Sequence, residues 1–297
     1  MYLTKLHSNQ FITQWKKLLQ ASFGYEEYMD FLIVRTITGK KVLSYLPLLN
    51  YTDRESENID DLLELSKDNE FSIRTLNVDN QKFEIGKPVT MRLDIKEKNF
   101  DDLMKNSIVS KCRNQVRKSK KSDLYFEIGN NKEQISDFYY LFSKTMHNYG
   151  TPSFSKSFFE EIPLYMDSNY LITYKDNVPI AALLMLYDET LAWIPWAASN
   201  REYTNLCPNH FLYMSAIIKA ISDDKEIFDF GRSEYGGHTY KFKSQWGAKP
   251  IGITVVSSNK DNNVYSKYKF VSKVWKKLPF AVTSLIGPKL TKYLEDL

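Results

Sequence analysis

Apolar positions recur at helical spacing over residues 9–23, where Phe11, Ile12, Trp15, Leu18 and Leu19 share one face before Gly24. Two β-rich runs follow at 28–38 and 41–49, and the Gly39-Lys40 pair between them predicts a hairpin. A helix is expected over 58–67, strands over 71–77 and 89–95, and one long helix over 99–121. From residue 124 the order becomes distinctive. A strand at 124–128 precedes a helix at 134–149 and a second helical stretch at 155–166, which Pro163 interrupts. Strands at 170–175, 178–186 and 190–198 come next, joined by turns short enough for antiparallel pairing. A helix at 209–221, a strand at 227–230, a glycine-rich loop and a last strand at 251–257 close the pattern.

Composition narrows the class. The chain has 297 residues, 43% hydrophobic and 26% charged, as a soluble globular protein does. A net charge of +4 is too small for whole-molecule attraction to nucleic acid, so only local clusters of charge matter. Cys112 and Cys207 have neither disulfide nor metal spacing, and no metal site is expected. The N-terminus lacks the apolar core of a signal peptide and no apolar run is long enough for a bilayer, so a cytoplasmic protein is expected.

Candidate chemistry concentrates in residues 227–250. An apolar run ends at Phe230 and four of the chain's eleven glycines follow (Gly231, Gly236, Gly237, Gly247), interleaved with Arg232, His238, Lys241, Lys243, Tyr240, Phe242 and Trp246. A strand entering a basic, aromatic loop suits an anionic ligand at a strand end, and an exposed turn with aromatic packing fits equally well. On the 99–121 helix, Arg113 and Arg117 share a face with Lys120 and Lys121, as a phosphate-binding face or as a solvated helix end. In residues 264–297, Val271, Val274, Trp275 and Leu278 form an apolar stripe among lysines. This stripe predicts either peripheral contact with the inner face of an anionic membrane or packing back onto the N-terminal domain.

The order of elements after residue 124 resembles the GNAT acyltransferases. Several motifs narrow the resemblance to the Fem-type (FemAB-related) peptidyl- and aminoacyltransferases, within them to the subgroup associated with exopolysaccharide loci of PEP-CTERM-bearing bacteria. They are Arg113-Asn-Gln-Val-Arg-Lys-Ser-Lys, Met146-His-Asn-Tyr-Gly-Thr-Pro152, Val178-Pro-Ile-Ala-Ala182, Pro208-Asn-His-Phe-Leu-Tyr213, Phe228-Asp-Phe-Gly-Arg-Ser233 and Tyr240-Lys-Phe-Lys-Ser-Gln-Trp-Gly-Ala248. The resemblance implies an α+β protein of two tandem GNAT-like domains with mixed central sheets flanked by helices. The boundaries expected are 1–121 for a shortened first domain, 122–258 for the domain carrying the site, and 259–297 for the tail.

The resemblance further implies transfer of an acyl or aminoacyl group to an amine or hydroxyl of a cell-envelope glycan or a lipid- or nucleotide-linked peptidoglycan precursor. The donor would be aminoacyl-tRNA or acyl-CoA, with no bound cofactor. The family's Phe-Lys pair beside the reacting groups falls on Phe242 and Lys243. Lys243 is the expected cation at the oxyanion, and Asp229 either a proton acceptor or a buried partner of Arg232. Arg232, Tyr240, Tyr149, Trp196, His238, Arg113 and Arg117 are the expected substrate contacts. In residues 199–209, ahead of the helix that would hold a pyrophosphate, there is no glycine. Two alternatives stand beside this reading: an ordinary acyl-CoA-dependent N-acetyltransferase, and a non-catalytic module that binds a membrane or a polyanion.

Overall fold

The computed structural model describes residues 2–37, 39–52, 70–77, 83–258 and 272–293. The helix expected at 58–67 lies outside them, as does Val271 of the apolar stripe. The chain divides into two compact units, each assembled from three stretches: residues 1–7, 77–142 and 166–253 in one, and 8–76, 143–165 and 254–297 in the other. The divisions expected after 121 and 258 do not coincide with these units.

In the unit containing residue 8, α1 (Asn9–Phe23) runs from the Ser8 cap, whose hydroxyl accepts from the Phe11 N–H, to Gly24. Its five expected core residues are all buried. The run expected at 28–38 splits at Met29-Asp30 into β1 (Glu26–Tyr28) and β2 (Phe31–Arg35). β1, β2 and β3 (Lys41–Ser44) pair antiparallel, and β3 pairs parallel with β4 (Glu70–Asn77). Residues 143–165 belong here because aromatic rings bind them to α1: Phe23 lies 5.1 Å from Phe158 and 6.2 Å from Phe154. The tail belongs here too.

The other unit is built on strands in the order β11-β5-β10-β9-β8-β7-β6. They are β5 (Pro88–Asp94), β6 (Tyr125–Gly129), β7 (Ser168–Lys175), β8 (Val178–Tyr187), β9 (Leu191–Ser199), β10 (Ile227–Glu234) and β11 (Lys249–Ser257). β6 through β9 form an antiparallel meander, β9 and β10 are parallel, and β10, β5 and β11 are antiparallel neighbours. Where both faces are covered the strand reads as a continuous apolar run, as in the fully buried Leu183–Leu186 stretch of β8.

The single helix expected over 99–121 is two, α2 (Phe100–Asn106) and α3 (Ser110–Lys120). The Ser107 and Ile108 N–H groups both donate to the Leu103 carbonyl, and the Val109 N–H leaves the helix to donate to Gln245. α4 (Lys132–Tyr149) and α5 (Lys156–Tyr165) follow. α6 (Pro208–Ser222) buries Phe211, Leu212, Tyr213, Ala216, Ile217 and Ala220 in the core formed with Met91, Leu93, Phe228, Phe230 and Trp246. The expected glycine loop is instead the extension of β10 to Glu234 followed by a short helix, α7 (His238–Ser244).

Candidate active site

β9 and β10 run parallel and then part. Their pairing covers Leu191–Trp193 and Ile227–Asp229 only, although both strands continue for several residues. Past Trp193, β9 stays with β8 through Ser199, and β10 stays with β5 through Glu234. Two devices hold β10 on its course. The register with β5 shifts between Asp229 and Arg232, as at a β-bulge, and Gly231 takes φ +77°, a conformation that costs a side-chain-bearing residue about 1 kcal/mol or more. The result is a cleft between the ends of two parallel strands. Burial follows the parting: residues 191–194 of β9 are buried, whereas Pro195, Trp196 and Ala197 are half-buried.

The closed half contains a buried ion pair. Asp229 and Arg92 face each other across the β10–β5 ladder with no exposed side-chain surface. Asp229 Oδ2 accepts from Arg92 Nε at 2.9 Å, and Oδ1 accepts from Thr90 Oγ1 at 2.6 Å and the Gly231 N–H at 2.7 Å. Arg92 Nη1 in turn donates to the Leu3 and Lys5 carbonyls. Asp229 therefore binds Arg92, not Arg232, and its third bond helps form the turn of the bulge. Nearby, His7 is buried 3.3 Å from Asp188 and edge-on to Trp193, and burial lowers its pKa.

The open half has Lys243. Its ammonium nitrogen reaches from α7 to donate to the Gly231 carbonyl at 3.0 Å and the Arg232 carbonyl at 2.8 Å. It clamps the backbone of the bulge. Burial, with Arg232 adding a like charge, pushes its pKa down to about 7 despite the opposing pull of Asp229. An ammonium carries three N–H donors, and two are used here. Close by, the buried hydroxyl of Ser233 has no hydrogen-bond partner among the described residues.

The remaining expected contacts separate into four groups. Arg232 is exposed on β10 beyond the bulge, His238 is exposed at the start of α7, and Trp196 lies on the open half of β9 with its ring edge-on to Phe142. Phe242 and Tyr240 are half-buried in aromatic packing. Phe242 lies 5.3 Å from His210 and 5.4 Å from Tyr213, and Tyr240 lies 4.8 Å from Tyr235. Arg113 donates to the Ile108 carbonyl, so it secures the end of α2, while Arg117 is exposed and bonds Asn114. Tyr149 is exposed in the other unit, where its carbonyl accepts from Ser272.

The basic helix and α6 meet at their N-terminal ends. Cys207, just ahead of α6, donates to Gln115 on α3, and Lys111 helps burial depress the His210 pKa to about 4. The exposed side of α3 ends in a shallow, open depression of about 480 Å³ lined by Asn114, Arg117, Lys118, Lys121 and Ser122. Ahead of α6, residues 201–206 form a 3₁₀ turn, Cys207 is left-handed, and Pro208 brings no N–H to the first turn. The His210 and Phe211 N–H groups already donate to Cys207, so this end offers little to a pyrophosphate. Among the described residues no cluster of His, Cys, Asp or Glu could hold a metal ion.

Arg92 was not singled out from the sequence. Its signal was one arginine inside the apolar strand Val89-Thr-Met-Arg-Leu93, a position that requires a buried partner.

Residues 107–244 match the family model of the acetyltransferase (GNAT) domain. Among solved structures the chain is similar to FemX, with TM-score 0.63 and 15% identity over 91% of this chain and 96% of that one. It is also similar to the C-terminal domain of a putative lysylphosphatidylglycerol synthetase from Agrobacterium fabrum, with TM-score 0.52 and 10% identity over 88% and 96% of the two chains. A conserved protein of unknown function from Bacteroides thetaiotaomicron gives TM-score 0.56 and 8% identity over 86% and 93%. No curated protein matches. At these identities the likeness is one of fold. The chain has a GNAT-like α+β fold, with a mixed sheet flanked by helices.

Proposed function

We propose that this chain is an acyltransferase that moves an acyl or aminoacyl group onto an amine or hydroxyl of a cell-envelope glycan or peptidoglycan precursor. The observation that carries the reading is the parting of β9 from β10 after Trp193 and Asp229, with Lys243 fixed at the bulge beside the opening. Acyl transfer passes through a tetrahedral oxyanion, and a fixed donor there is worth about 3–4 kcal/mol of barrier. In this reading Lys243 gives its third N–H to that oxyanion. Trp196 and Arg232 flank the acceptor, and the Ser233 hydroxyl supplies a polar contact. Phe242 and Tyr240 support the wall. Asp229 acts through the bulge it stabilises, since its oxygens already accept three bonds.

Of the two expected donors, aminoacyl-tRNA is favoured over acyl-CoA. The α6 N-terminus has few N–H groups for a pyrophosphate, while Lys111 of α3 acts on His210 at that end and Arg117, Lys118 and Lys121 line the depression further along the same helix. Mass analysis of envelope glycans and muropeptides from a strain lacking the gene tests the reading. One aminoacyl or acyl mass should vanish from one precursor and return on complementation; unchanged glycans and muropeptides would overturn it.

A further inference from the structure

Helix α8 (Phe280–Thr291) is packed in reverse of the usual amphipathic order. Its buried positions are small: Thr283, Gly287 and Thr291, at i, i+4 and i+8. A Cβ on Gly287 would stand 3.0 Å from the Ser153 backbone nitrogen, so this face approaches the 153 backbone as closely as a helix can. His147 Nδ1 lies 2.9 Å from Thr283 Oγ1, and Tyr25 donates to the Lys292 carbonyl just past the helix. The tail is therefore seated on its own unit. Trp275, at the end of the helical stretch 272–275 before α8, is buried as well.

Phe280, edge-on to His147, and Leu290 are half-buried, and three other large apolar side chains face the other way. Val282, Leu285 and Ile286 lie on the outward face, with Leu285 69% exposed, and Val274 is exposed before them. Lysines border this strip at both ends: Lys273, Lys276 and Lys277 on one side, Lys289 and Lys292 on the other, all exposed. No acidic residue occurs among the described residues 272–293. Twelve residues of helix span about 18 Å, too short for the ~30 Å hydrocarbon core. Such a helix can only lie flat in an interface, apolar face down and lysines at headgroup level.

We infer that the outward face of α8, with the lysines at its two ends, is a docking surface for an anionic lipid bilayer. Five lysines around an apolar strip, with no carboxylate among the described residues 272–293, select negative headgroups over a neutral surface or a second copy of the strip, which would bring like charges together. The inference stands apart from the acyl-transfer reading and does not depend on the cleft.

The test is sedimentation of the full chain with vesicles of phosphatidylcholine alone and of phosphatidylcholine with phosphatidylglycerol. The chain should pellet with the mixed vesicles and bind the neutral ones at least ~10-fold more weakly. The double variant L285E/I286E, altered only at exposed positions, should lose at least ~10-fold in partitioning to mixed vesicles while keeping the wild-type melting curve. Lys276→Gln with Lys277→Gln should lose on the order of tenfold. Equal binding to both vesicle types, or an L285E/I286E variant that partitions as the wild type does, would overturn the inference. So would a soluble dimer that L285E/I286E dissociates, without vesicle binding, since the strip would then be covered by a second copy.

Discussion

The two halves of the β9–β10 pair place opposite charges under opposite conditions. In the closed half, Asp229 has a guanidinium, a hydroxyl and a backbone N–H as partners, and its place in the molecule is architectural. In the open half, Lys243 reaches from α7 to the same strand, where it is held only by the carbonyl oxygens of Gly231 and Arg232, and its pKa falls toward neutrality. A buried charge with a full set of partners is spent on the fold. One whose partners are neutral dipoles keeps a free N–H and a pKa that a substrate can move.

The largest effect is expected in the closed half. Asp229→Ala leaves the Arg92 guanidinium buried without its carboxylate, which should cost about 3–5 kcal/mol of stability in urea unfolding. A loss below ~1 kcal/mol would break the contrast. Next is Lys243→Ala, which should lower transfer ~10²–10³-fold with a near-native fold. Its pH profile sharpens the point: as the ammonium is the active form, kcat/KM of the wild type should fall as pH rises through about 7. A rise over that range would make Lys243 a base instead.

A smaller effect concerns stability. Because the folded pKa of Lys243 lies below that of the unfolded chain, the unfolded state binds more protons between about 7 and the ordinary lysine value. Wild-type stability should therefore gain more from pH 7 to 9 than that of Lys243→Met, by at most a few kcal/mol. Equal gains would mean the pKa is not depressed. Trp196→Ala should raise the acceptor KM up to ~10-fold with little change in melting temperature, as loss of a half-buried ring does. The smallest change is that of Arg117→Ala with Lys118→Ala, which should weaken donor binding a few-fold and flatten its salt dependence.

Much of the fold was legible in the sequence because the periodicity was local. α1, the β7–β9 meander and α6 lie close to where spacing and turn residues put them. α7 was not legible. Seven residues after two glycines have little helix propensity of their own, and the segment is folded by Phe242 and Trp246 packing on α6. The break between α2 and α3 depends on Gln245, more than a hundred residues away, accepting from Val109. Lys243 was singled out through the Phe-Lys pair, but its seat on the Gly231 and Arg232 carbonyls required the bulge to be seen. The Asp229 carboxylate is plain in the sequence and its partner is not, since Arg92 lies on a strand 137 positions earlier.

The most direct test of Lys243 as the reacting centre works before either the donor or the acceptor has been identified. The gene-deletion strain is complemented with wild-type protein or with Lys243→Ala at matched levels, and envelope glycans and muropeptides are compared by mass. With Lys243 at the oxyanion, wild type restores the missing group and Lys243→Ala leaves the deletion profile unchanged. Full restoration by Lys243→Ala would contradict that role.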